Sequence, residues 1–219
     1  MSPFSLHSPK LQTELTLHDK PRYPGDPTGI PQGQYLSVTA FSVYPYSRGH
    51  IHITSPSPSL DALIDFTTGF LNNPLDIAKH IWAYKKQREI MRRMTCYRGE
   101  LSTSHPPFPA SSQAACISIS SALDPETLED IKYSEEDDVV LRKWIVEHVD
   151  TTWHSLGTCK MGPLEKGGVV NAELGVYGVR GLKVADMSVA AGNVAANTAD
   201  TAFAIGERAA DIFIRELGV

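Results

Sequence analysis

Thr152-Trp153-His154-Ser155-Leu156-Gly157-Thr158-Cys159 and, further along, Asn193-Val194-Ala195-Ala196-Asn197-Thr198 are two short polar sites in the C-terminal half of the chain. The second runs directly into an apolar-periodic stretch from 199 to 217, marked by Ala202, Ile205, Ala209, Ile212 and Phe213 and followed by Gly218. That pattern predicts a helix with a stop signal just past its end. An Asn-Thr pair at a helix start aims backbone N–H groups and the positive dipole end at whatever lies in front. The small residues Ala195, Ala196 and Ala199 leave room for something bulky to approach. A plain N-cap would also explain Asn197 and Thr198, and from spacing alone both readings stand.

His154 has the same ambiguity. A histidine in a loop after a helix is often structural. Trp153 and Leu156 beside it could exclude water, and Gly157 would let the backbone pass close to a bound group. Histidine is the side chain best suited to accept a proton near neutral pH. Asp186 closes a short strand read over 182 to 186, and it can be either a ligand contact or a turn-forming residue. His50 and His52 share one face of a strand, but no third ligand accompanies them, so no metal site is expected.

Composition narrows the classes. The chain has 219 residues, 42% hydrophobic and 21% charged, which excludes disorder, coiled coil and collagen. A net charge of −5 argues against nucleic-acid binding, which needs a basic face for phosphates. The basic run Lys85-Lys86-Gln87-Arg88 with Arg92-Arg93 reads as a solvated helix face. Cys96, Cys116 and Cys159 are odd in number and include no CxxC, so neither a disulfide framework nor a zinc site is indicated. No apolar run reaches the ~20 residues of a membrane span. The first residues lack a secretory pattern, and the last four are not a peroxisomal or retention address. An intracellular site, peroxisomal or cytoplasmic, is the expectation.

Along the chain, residues 1–34 are broken by Pro21, Pro24, Pro27 and Pro31 and read as an irregular lead-in. Residues 35 to 45 and 50 to 54 alternate as strands, with a turn at Ser47-Arg48-Gly49, and are expected to pair with each other. Asn73-Pro74-Leu75-Asp76 is a helix start, and apolar residues at helical spacing carry it over 74 to 95. Residues 99 to 125 read as loop. Ser134, with Asp137 three residues on, opens a second helix to about 149 by a capping box.

Taken together, Tyr44-Pro45-Tyr46-Ser47-Arg48-Gly49-His50-Ile51-His52-Ile53, Trp82-Ala83-Tyr84-Lys85-Lys86, Tyr133-Ser134-Glu135-Glu136-Asp137-Asp138, the Trp153-His154 segment, Val176 to Asp186 and Asn193 to Asp211 make the chain recognisable. From about residue 35 onward it resembles the C-terminal part of the glucose–methanol–choline (GMC) oxidoreductases, and within them the fungal alcohol oxidases. The resemblance implies oxidation of a small alcohol by FAD, with O2 regenerating the flavin. It makes His154 the base for the hydroxyl proton and Asn197 the donor to the substrate oxygen, with hydride passing to flavin N5. Asn197, Thr198 and Ala199 would face the flavin edge, and Asp186 and Met187 match positions near the flavin. Trp153 and Ser155 would border the substrate. Ser155 stands where alcohol oxidases often carry Cys, so the alcohol accommodated is expected to differ in size. Full-length members of the family can oligomerise.

The implied fold is α+β. An antiparallel sheet is covered on one face by the helices over 74 to 95 and 134 to 149, and a C-terminal strand–helix return of an FAD-binding domain follows. Residues 35–162 would form the substrate-binding domain and 163–219 the FAD-domain segment. The strand–GxGxxG–helix unit that seats the ADP half of FAD is missing from the sequence, since Gly175, Gly178 and Gly181 are spaced by three. The expectation is therefore a piece that does not hold FAD tightly alone. A non-catalytic remnant or binding module that kept the fold is the alternative, while a nicotinamide or metal enzyme has no supporting motif.

Overall fold

The computed structural model describes residues 11–18, 30, 33–56 and 64–218, the first of these stretches by its backbone. Its elements are strands β1 (Leu11–His18), β2 (Tyr35–Ser42), β3 (His50–Ile53) and β4 (Ile64–Thr67), and helices α1 (Pro74–Arg92), α2 (Glu135–His148) and α3 (Ala199–Leu217). The chain divides into two compact units, one of Met1–Ser47 with Phe70–Asp150, the other of Arg48–Gly69 with Thr151–Val219.

In the first unit, β1 and β2 form an antiparallel pair from Leu11 opposite Ser42 to His18 opposite Tyr35. This corrects the irregular lead-in at residues 11–18. Leu11, Leu15 and Leu17 alternate with Gln12, Glu14 and Thr16 in the sequence, a strand period that the nearby prolines obscured. The rest of the lead-in lies outside the described residues, apart from Ile30, Gly33 and Gln34.

The expected pairing of β2 with β3 is also corrected. Each pairs with another strand, β3 with β4 in the second unit. The linker after β2 is drawn to the start of α1 instead. The buried Asp76 carboxylate accepts the Tyr46 N–H at 3.1 Å and the Ser47 N–H at 2.7 Å. Burial would raise the Asp76 carboxyl, but bonds from Ser47, Tyr46 and Lys79 outweigh it and hold it at about 2.

Helix α1 begins as read. Asn73 Oδ1 accepts the Leu75 N–H at 2.9 Å, with Pro at the first helical position. Helix α2 has the full capping box, Ser134 with Asp137. The basic run on α1 is not wholly solvated, however. Arg88 is 3% and Arg92 8% exposed, and both reach the Glu100 carboxylate, at 2.9 and 3.1 Å. Glu100 lies beyond the helix, so no helical spacing announces the pairing. Burial works to raise its carboxyl, and the two arginines overcome this and hold it at about 2. Around them pack Tyr84, His105, Phe108, Tyr133 and Trp144. The Tyr84 hydroxyl and His105 Nδ1 are 2.7 Å apart.

In the second unit, the core is Val170, Leu174, Val189, Ala209 and Ile212, with Ile205, Phe213 and Met161 against it. Thus one face of α3 covers the layer of turns between 161 and 189. The short strand expected over 182 to 186 is reduced to an isolated bridge between Gly175 and Lys183. It ends because Asp186 turns the chain into a 3-10 turn (Met187–Val189), its carboxylate accepting the Ser188 N–H at 2.8 Å.

Candidate active site

The two polar sites of the sequence meet in the second unit. His154 Nε2 lies 3.2 Å from Asn197 Oδ1, a hydrogen-bonded pair between residues 43 apart in the chain. The Asn197 carbonyl oxygen thus faces His154, and the N-cap position of α3 falls to the next residue. Thr198 holds the N-cap position of α3 and is buried, but its side chain makes no capping bond. Its carbonyl accepts the first helical bond, from Ala202, at 2.9 Å. The first-turn N–H groups of a helix have no acceptor within it. At the start of α3 no side-chain cap from Thr198 occupies them, and Ala195, Ala196, Asn197 and Ala199 around it are exposed. A 19-residue helix gives that end a partial positive charge, suited to an electron-rich edge.

His154 is held from both sides. On its C-terminal side the chain is zipped to the 3-10 turn: Gly157 N–H donates to Met187 O at 3.3 Å, Cys159 to Ser188 O at 2.9 Å and Met161 to Val189 O at 2.8 Å. Gly157 has φ +82°, and a Cβ there would crowd the Ala190 carbonyl at 3.3 Å, so glycine serves the turn and the close approach together. On the N-terminal side Trp153 has φ +57°, a left-handed conformation that costs an L-residue about 1–2 kcal/mol. Its N–H donates to Thr151 Oγ1 at 3.0 Å.

The other residues singled out lie as follows. Met187 is half-buried and its carbonyl receives both Gly157 and Ala190. Asp186 is exposed, and the bonds from Ser188 lower its carboxyl below the ordinary range. Ser155 is exposed beside His154. Trp153 is 78% exposed rather than shielding the imidazole, which corrects that expectation. The zipper from Gly157 to Met161 was not anticipated, although Gly157 marked it. Among the described residues, no three His, Cys, Asp or Glu side chains are arranged to hold a metal.

Comparison with known proteins shows the family. The family model for GMC oxidoreductase matches residues 45–206. Alcohol oxidase 1 of Komagataella phaffii is 41% identical across 89% of this chain and 35% of its own length. The alcohol oxidase of Candida boidinii is 37% identical across 89% of this chain and 36% of its own. A solved FAD-dependent oxidoreductase from Chaetomium thermophilum superposes with a TM-score of 0.58 at 28% identity, covering 83% of this chain and 27% of that one. This chain belongs to the GMC oxidoreductase family. It is homologous to the C-terminal part of the fungal alcohol oxidases and spans about a third of the length of the curated relatives it matches.

Proposed function

We propose that this chain is the catalytic C-terminal part of an FAD-dependent oxidoreductase that oxidises a small alcohol at its CH–OH group, with O2 as final acceptor. The observation that carries this reading is the His154–Asn197 pair, closed at 3.2 Å at the start of α3. FAD, when bound, supplies the acceptor for the hydride that the alcohol carbon gives up. The open, partly positive helix end fits the electron-rich edge of a flavin, with Asn197, Thr198 and Ala199 lining it and Asp186 and Met187 nearby.

His154 accepts the hydroxyl proton at Nε2, and Asn197 donates from its amide to the oxygen left behind. With Oδ1 as acceptor, the ring nitrogen carries the proton and the two side chains satisfy each other. A hydroxyl is both donor and acceptor, so it can enter between them. With the ring proton shifted to Nδ1, it gives its own proton to Nε2 and takes the Asn197 N–H after a half-turn of the amide. Trp153 and Ser155 border the alcohol. Residues 35–162 serve substrate binding, and 163–219 return to the FAD-binding domain. The 219 residues contain no strand–GxGxxG–helix unit, so on this reading tight FAD binding requires an ADP-binding unit from further polypeptide.

The test is a chimera in which this chain replaces the matched C-terminal third of Komagataella phaffii alcohol oxidase 1. We expect it to copurify with FAD, whereas the chain alone shows little flavin absorbance. Anaerobic addition of a short primary alcohol should bleach the flavin, about 10²-fold more slowly in Asn197→Ala. A chimera that carries flavin but is not bleached by any alcohol would favour a non-catalytic remnant.

A further inference from the structure

Three non-glycine residues among those described have positive φ: Leu71, Trp153 and Leu174. Leu174 is 2% exposed in the core of its unit, where packing holds it. Trp153 is 78% exposed, so burial of its own side chain does not hold its backbone there. A left-handed conformation at a bulky residue persists only when its surroundings impose it. The bond from its own N–H to Thr151 Oγ1, at 3.0 Å, closes a tight local turn that does so. The residue that follows is His154. Beyond it, Gly157, Cys159 and Met161 are fastened to the 187–189 turn through their backbones. His154 thus stands between a backbone fastened to the 187–189 turn and one strained residue, Trp153.

We propose that Thr151 is a positioning residue: its hydroxyl holds Trp153 left-handed, and this conformation aims His154 Nε2 at Asn197. The assignment rests on the reading of His154 as the base, but it is tested without turnover. The full 219-residue chain is labelled with ¹⁵N, and the His154 ring nitrogens are followed by long-range ¹H–¹⁵N spectra, assigned through His154→Gln. Asn197→Ala gives the spectrum of the unpaired ring. Thr151→Val should move the His154 signals toward that spectrum, the ratio of paired to unpaired ring falling about fivefold, the worth of one hydrogen bond. Thr151→Ser, which keeps the hydroxyl, should retain the wild-type signals. Glycine adopts the left-handed conformation freely, so Trp153→Gly should make Thr151→Val without further effect.

The proposal is overturned if Thr151→Val lowers Tm but leaves the ring signals in place, if Thr151→Ser behaves like Thr151→Val, or if the valine acts as strongly in the Trp153→Gly background. Should Thr151→Val fail to fold, the double variant decides. A folded chain with wild-type ring signals supports the proposal. A folded chain without them, or an unfolded one, places the role of Thr151 elsewhere and refutes it. The flavin-bleaching experiment on His154 reports on the base separately, so either idea can fail while the other stands.

Discussion

Glu100→Gln removes the carboxylate that Arg88 and Arg92 share. The side chains of all three are buried, at 3%, 9% and 6% exposure for Arg88, Arg92 and Glu100. Glutamine keeps the shape but not the charge, so two guanidinium groups are left without their counter-ion. Arg88 retains the carbonyl of Ala114 at 2.8 Å and the Tyr133 hydroxyl at 3.3 Å, which are dipoles only. The fall of the Glu100 carboxyl from 4.5 to about 2 corresponds to roughly 3 kcal/mol of differential interaction. Breaking a buried ion pair costs about 3–5 kcal/mol by an independent route. Against a total stability of about 5–15 kcal/mol, that is a large share. The sign is that of a depressed carboxyl. Its contribution is fully present above about 4.5 and is lost as pH falls through about 2. Urea denaturation followed by circular dichroism, at pH 7 and at points down to pH 3, measures both effects. The variant should lose about 3 kcal/mol at pH 7 and show a shallower acid slope. A loss below about 1 kcal/mol, the size of one ordinary hydrogen bond, would refute the reasoning.

Two further outcomes follow from the same unit. Ser134→Ala should cost about 1 kcal/mol, because the Asp137 N–H loses its acceptor at 3.1 Å; a thermal melt reads it as a drop of a few degrees. His105 is depressed to about 4 by burial first and by the neighbouring Arg88 charge second. Its contribution is present above about 6.5 and is lost as pH falls toward 4, so Tm measured from pH 7 to 4 should decline, and less steeply in His105→Gln.

The helices were legible because their signals are local. Asn73-Pro74 and the Ser134–Asp137 box each lie within four residues and name their own function. The site was legible in its residue types, His154 and Asn197, though not in the direct bond between them. What escaped depends on partners distant in sequence. Strand pairing is one example, since a local alternation does not say which neighbour a strand takes, and β3 found β4 across a stretch that carries no hairpin signal. The burial of Arg88 and Arg92 is another. A basic helix face reads as solvated until a carboxylate such as Glu100 folds back onto it. The left-handed Trp153 has no composition signal, because glycine or asparagine would be the usual residue there.

The most direct measurement of the central claim is the anaerobic rate of flavin bleaching by alcohol in the FAD-loaded chimera, with and without His154→Ala. A base that takes the hydroxyl proton contributes about 10²–10⁴-fold, so the variant should retain its flavin and lose that much rate. Equal bleaching rates in the two flavin-loaded proteins would contradict the account.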